Sequence, residues 1–238
     1  MLSGKSWRGE FVLLFCAAQM VCFFAGGLAI FGLHKFGVRG FQHDEDFGAV
    51  LLGTLCFQGV TWMLIPFFLR VHRVDWREAF GFRAPQLKRS LLLAVVVMIL
   101  FAAPAAWWLQ IVSDRILSHF GWPVEEQTAV TIFKSAKAWV EYGYLSLFAV
   151  ILAPVAEEFV FRGMLFPFFK QSGFPKLAWL GVSFLFALIH QNLNIFASLF
   201  VLALVLTWLY EKTDSLLAPI TAHALFNVAN LVILDFSQ

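Results

Sequence analysis

An all-α, polytopic transmembrane helix bundle of about seven spans plus interfacial helices is the fold class this sequence predicts. Three observations carry the prediction. Of 238 residues, 61% are hydrophobic and only 13% are charged, whereas soluble domains carry roughly 45–50% apolar and about 25% charged residues. The mean hydropathy is +0.79. The apolar residues also come in runs near the length of about 20 residues that a bilayer-crossing helix needs. So few charges cannot solvate the surface of a soluble globule of this size. A soluble enzyme, a disordered tail, a collagen-like fibre and a small disulfide scaffold are therefore excluded. One membrane domain is expected. Residues 1–142 would form its N-terminal transmembrane helices and interfacial segments, and residues 143–238 hold the polar motifs described below.

Residues 11–33 form the first span, preceded by Lys5 and Arg8. Its apolar core exceeds the roughly 7–15 residues of a cleaved signal peptide, so it is read as retained. The second span covers residues 47–69. Residues 70–89 follow with Arg70, Arg73, Arg77, Arg83, Lys88 and Arg89 among Trp76, Phe80 and Phe82. That mixture suits a segment lying at the headgroup level. The third span is residues 90–112, and residues 113–142 are mixed in character and lie outside the core. The fourth span, residues 144–169, contains charges. Residues 171–175 (QSGFP) signal a turn. A short apolar segment, 177–190, is broken by residues 191–194 from the sixth, 195–210. Asp214 or Ser215 is a candidate N-cap for the seventh, 216–234.

The net charge is +2, with no long basic run, so no nucleic-acid partner is expected. Cys16, Cys22 and Cys56 lie in apolar stretches without metal-ligand spacing and read as packing residues. Positive residues favour cytoplasmic loops. With the N-terminus cytoplasmic, inside segments carry Lys5, Arg8, the six basic residues of the second loop, Lys170, Lys176 and Lys212. Outside loops carry Lys35, Arg39, Arg115, Lys134 and Lys137, and also Asp44, Glu45 and Asp46. The expected location is an integral, multi-pass membrane site, the plasma membrane if the source is bacterial.

Charge within a bilayer costs at least about 2.5–3.5 kcal/mol per group, so residues that bear this cost are functional candidates. Three clusters stand out. Glu157, Glu158 and Arg162 share one apolar helix. Glu158 and Arg162 are four apart and can pair. Glu157 points about 100° away and is left free for chemistry. The alternative is a buried pair that only fixes helix packing. His190 ends an apolar segment, with Phe186 one turn earlier. His223 and Asn227, again four apart, face one way and supply N–H donors; interhelical packing glue is the competing reading. A hydrolase needs a base for water and donors for an oxyanion, and this inventory contains both.

The ordered series E-E-x-x-x-R, F-x-x-x-H and H-x-x-x-N resembles the CAAX protease and bacteriocin-processing family, which includes the Ras-converting CAAX endopeptidase and the bacterial Abi proteins. The motifs cover about the last hundred residues, and the resemblance makes residues 143–238 the catalytic core. It implies an all-helical intramembrane endopeptidase in which Glu157 activates water and His190 holds the same water. It further implies that His223 and Asn227 form the oxyanion hole, with Glu158 and Arg162 a supporting pair and Phe186 a packing residue. The implied substrate is a peptide or lipidated protein at the membrane, and membrane lipid is the standing partner. No cofactor is favoured. Zinc held by Glu157, His190 and His223 is the alternative, but the chain has no H-E-x-x-H and no histidine pair at i,i+4. Two other functions compete. A non-catalytic immunity factor or scaffold would keep the polar cluster for packing. A transporter could use Glu and His as a proton relay, but no repeated pattern of broken helices supports that.

Overall fold

The computed structural model describes residues 7–43, 46–82, 86–124, 126–136 and 138–236. Lys5, Asp44, Glu45, Arg83 and Lys137, used above in the charge comparison, lie outside the described residues. Among the described residues the chain is all helix and turn. The helices are α1 (Gly9–Lys35), α2 (Phe47–Val71), α3 (Trp76–Ala79), α4 (Leu87–His119), α5 (Thr128–Ser135), α6 (Trp139–Gln171), α7 (Pro175–Leu188), α8 (Leu193–Thr213) and α9 (Leu217–Phe236).

Six of these, α1, α2, α4, α6, α8 and α9, are long and apolar enough to cross a membrane. The remaining expected segment, the fifth in chain order, is α7, whose 14 residues rise only about 21 Å, short of the roughly 30 Å hydrocarbon core. Large side chains such as Leu28, Met63 and Trp139 are 72%, 78% and 91% exposed. On a soluble monomer such a surface would drive aggregation; on this bundle it is the lipid-facing belt. The third span differs from expectation at its end. The helix does not stop near residue 112 but continues through Asp114 and Arg115 to His119.

α6 and α8 run the same way, with the short α7 returning between them, and cross-chain contacts fix the helix ends. At one end of the bundle, the Arg8 backbone N–H donates to His72 Nε2 (3.1 Å) and Lys170 pairs with Glu211. At the other, Phe47 meets Tyr144 edge-on at 5.5 Å, and Asn192 Nδ2 donates to the Glu126 carbonyl. Two apolar clusters make the core. The first joins Trp7, Phe15, Phe68, Phe159, Phe166, Phe186 and Tyr210. The second uses small residues, Ala94, Ala102, Ala106, Ala218 and Ala222, with Leu202 and Leu206 between α4, α8 and α9. Small side chains let helices approach closely where lipid supplies no hydrophobic drive.

The basic segment after α2 is not merely laid on a surface. Val74, Ala79 and Phe80 are buried, Phe80 stacks on Phe159, and Arg70, Arg73 and Arg77 stay exposed. Gly81 sits at φ +75° against Ser215, where an added Cβ would lie 2.5–2.7 Å from Ser215 atoms. Ser215 Oγ accepts from the Leu217 N–H (3.3 Å) and caps α9, whereas Asp214 closes α8 in the left-handed region at φ +49°. At the start of α8 the Asn192 side chain accepts from the N–H groups of Asn194 and Ile195.

Candidate active site

The site is built on an irregular stretch of α6. π-helical turns at Phe148–Leu152 and Phe159–Leu165 flank a regular segment, Ala153–Glu158. Such turns take carbonyls out of the regular ladder and recur at functional sites. Proline adds to this because it has no N–H to donate. Pro154 lies five residues after Ala149, and Asn227 Nδ2 donates to the Ala149 carbonyl at 2.7 Å. Pro167 lies four residues after Gly163, and Trp7 Nε1 donates to that carbonyl at 3.0 Å. Trp62 Nε1 donates to the Leu152 carbonyl at 3.2 Å. Side chains of α2 and α9, and Trp7 just ahead of α1, thus satisfy the released carbonyls and pin the irregular helix in place.

The adjacent glutamates part as the helical angle requires. Glu158 is fully buried, and its Oε1 accepts from Arg162 Nη1 at 2.8 Å. Arg162, also fully buried, spends its other donors on α8: Nη2 on the Ala203 carbonyl (3.0 Å) and Nε on Thr207 Oγ1 (3.3 Å). Its guanidinium lies over the Phe186 ring at 4.7 Å. Each guanidinium nitrogen of Arg162 has a partner, but Glu158 Oε2 is buried without one, so the pair offsets only part of its desolvation cost.

Glu158 has a second partner that the spacing of its own helix did not indicate. His223 Nδ1 lies 2.8 Å from Glu158 Oε1. A carboxylate only accepts, so this nitrogen carries the proton. His223 Nε2 is then presented toward Glu157, whose Oε2 lies 3.9 Å away. Glu157, with 14% of its side chain exposed, faces a cavity rather than the core. One water about 2.8 Å from both atoms fits that gap. His190 sits on the turn just past α7, where its Nδ1 meets the Phe186 carbonyl at 2.7 Å. A carbonyl likewise only accepts, which leaves His190 Nε2 as the free nitrogen. Phe186 is fully buried, 5.0 Å from the His190 ring and 5.7 Å from the His223 ring. It is the common packing surface under both imidazoles and the arginine.

Glu157, His190, His223 and Asn227 line one cavity of about 330 Å³. Glu158, Arg162 and Phe186 lie behind its wall. The cavity also gathers residues not singled out in the sequence: Thr54, Gln58, Gln127 and Asn230. Gln58 carried a readable signal, being a polar residue inside an apolar span. Asn230 carried another, because His223, Asn227 and Asn230 form one stripe on α9; Trp107 Nε1 donates to its Oδ1 at 2.9 Å. Gln127 lies in an irregular connection with no signal.

A zinc site needs three protein ligands near 2 Å from the ion. Among the described residues no group of three His, Cys, Asp or Glu side chains is gathered closely enough to hold one. Within the set Glu157, His190 and His223, the His223 Nε2 and Glu157 Oε2 atoms are 3.9 Å apart, and each histidine has its Nδ1 on a carbonyl or carboxylate partner, leaving its Nε2 toward the cavity.

Residues 139–229 match the family described as Type II CAAX prenyl endopeptidase Rce1-like. The match begins at α6 and ends within α9, and takes in all three motifs. No curated protein and no solved structure is significantly similar to the chain.

Proposed function

We propose that this chain, which belongs to the CAAX protease family through residues 139–229, hydrolyses a peptide bond within the membrane by glutamate-activated water. The observation that supports this reading is the convergence of Glu157, His190, His223 and Asn227 on one cavity. Glu157 takes a proton from water as the water oxygen bonds to the scissile carbonyl carbon. His190 holds that water through its free Nε2. The carbonyl oxygen becomes an oxyanion, held by Asn227 and by His223. Because His223 Nδ1 is spent on Glu158, its Nε2 donates only when the ring is doubly protonated. Glu158 and Arg162 therefore position His223 rather than touch substrate. Collapse of the oxyanion breaks the C–N bond, and the proton held by Glu157 passes to the leaving amine. The substrate is a peptide segment, lipidated or not, presented at the membrane surface.

The test compares new protein C-termini in cells carrying wild type and Glu157→Gln. Products present with wild type and missing with the variant support the reading. Identical C-termini at equal protein levels favour the non-catalytic scaffold instead. Zinc-selective chelation of the purified protein should leave turnover unchanged; loss restored by added zinc would replace the metal-free route.

A further inference from the structure

The charges at the two ends of the bundle are unequal, and the cavity extends toward one of them. Around the end that holds Arg8, the end of α2, the connection after it and the start of α4 contribute Arg70, Arg73, Arg77, Lys88 and Arg89. Lys170, Lys176 and Lys212 lie at the same end, beside the Lys170–Glu211 pair and the Ser215 cap. The opposite end carries only Lys35, Arg39, Arg115 and Lys134 among the described residues. The bias is nine Lys and Arg against four. Counted in short loops near helix ends, such an excess marks the cytoplasmic side.

The cavity lies toward the other end. From Glu157 and His223 it runs outward past Leu145, Asn227 and Asn230 to Gln127 and Leu234. Those outer residues belong to the start of α6, the finish of α9 and the connection before α5. A second, more polar cavity of about 620 Å³ adjoins it, sharing Ile132 and Leu145 and lined also by Arg39, His43, Asp46 and Glu141. Water has a polar approach to Glu157 from this end.

We infer that the catalytic cavity opens on the non-cytoplasmic face of the membrane, so that its substrate is a polypeptide segment already translocated across the bilayer. This rests on the protease reading for the word substrate, but not for the orientation. A cytoplasmic C-terminus would approach the basic end, where Trp7, Phe80, Phe159 and Phe166 close the bundle. A translocated leader or a membrane-anchored tail, extended along the non-cytoplasmic surface, meets the open end.

Orientation is read from cysteine accessibility in the full-length protein with Cys16, Cys22 and Cys56 replaced by alanine. Single reporters at Ser118→Cys and Ser172→Cys, both exposed, mark the two ends. In right-side-out vesicles a membrane-impermeant maleimide should label Ser118→Cys and miss Ser172→Cys, and inverted vesicles should exchange the pattern. The reverse result overturns the inference. Cleavage is followed in parallel with a fluorogenic peptide added outside each type of vesicle. Turnover in right-side-out vesicles that is lost in inverted ones supports the inference, and turnover in inverted vesicles alone overturns it. Labelling as expected with no cleavage on either side supports the orientation and counts against the protease reading.

Discussion

Asn227 is where chemistry and architecture can be separated most cleanly. Its amide donates to the Ala149 carbonyl and lines the cavity. Removing one oxyanion donor from a protease typically costs about 2.7–4 kcal/mol, or roughly 10²–10³ in kcat. We expect Asn227→Ala to lose that much kcat, and a purely structural role would lower Tm while leaving kcat intact. Arg162→Ala should act in the opposite sense. It leaves a buried, uncompensated Glu158, a change that costs about 3–5 kcal/mol of stability, to be read as a fall in Tm in detergent. Arg162→Lys should recover only part of it, because one ammonium cannot reproduce donation to Glu158, Thr207 and Ala203 together. At this scale the polar positions were legible in the sequence, because Glu, Arg and His are costly inside an apolar run. Their division of labour was only half legible. The i,i+4 rule gave the Glu158–Arg162 pair, but the His223–Glu158 bond spans 65 positions, and no local spacing encodes it.

Among the elements, α6 shows how an irregular helix becomes a site. Pro154 and Pro167 leave carbonyls that Asn227 and Trp7 occupy. The prolines were visible in the sequence, but the donors answering them came from distant segments. The end of α4 departs from the hydropathy reading for a related reason. Hydropathy reports where a chain meets lipid, not where its hydrogen-bond ladder stops, so α4 runs on through Asp114 and Arg115. The turn after α3 supplies a test of packing at the basic end. Ala in place of Gly81 would have to hold φ near +75°, which costs about 1–2 kcal/mol before any clash, and its Cβ would meet Ser215. Gly81→Ala should therefore lower Tm by more than that cost alone. A Gly81→Ala, Ser215→Ala double variant would stay impaired, because the close backbone approach to Ser215 Cα remains.

For the whole molecule, composition alone fixed the class, since 13% charged residues cannot clothe a soluble surface of this size. What composition could not supply is depth. Four side chains from α6, α9 and the turn after α7 meet in one cavity; α7 has only 14 residues, and His190 follows it on an exposed turn from which Asn192 reaches the Glu126 carbonyl. Lengthening α7 by one turn before His190 should carry that imidazole away from the cavity and abolish turnover while the protein remains folded. The most direct measurement is peptide hydrolysis by the purified protein in lipid vesicles, wild type against Glu157→Gln. Glutamine keeps the shape of the side chain and removes the base, so turnover should fall to the uncatalysed background with Tm unchanged. Wild-type turnover in that variant would contradict the account.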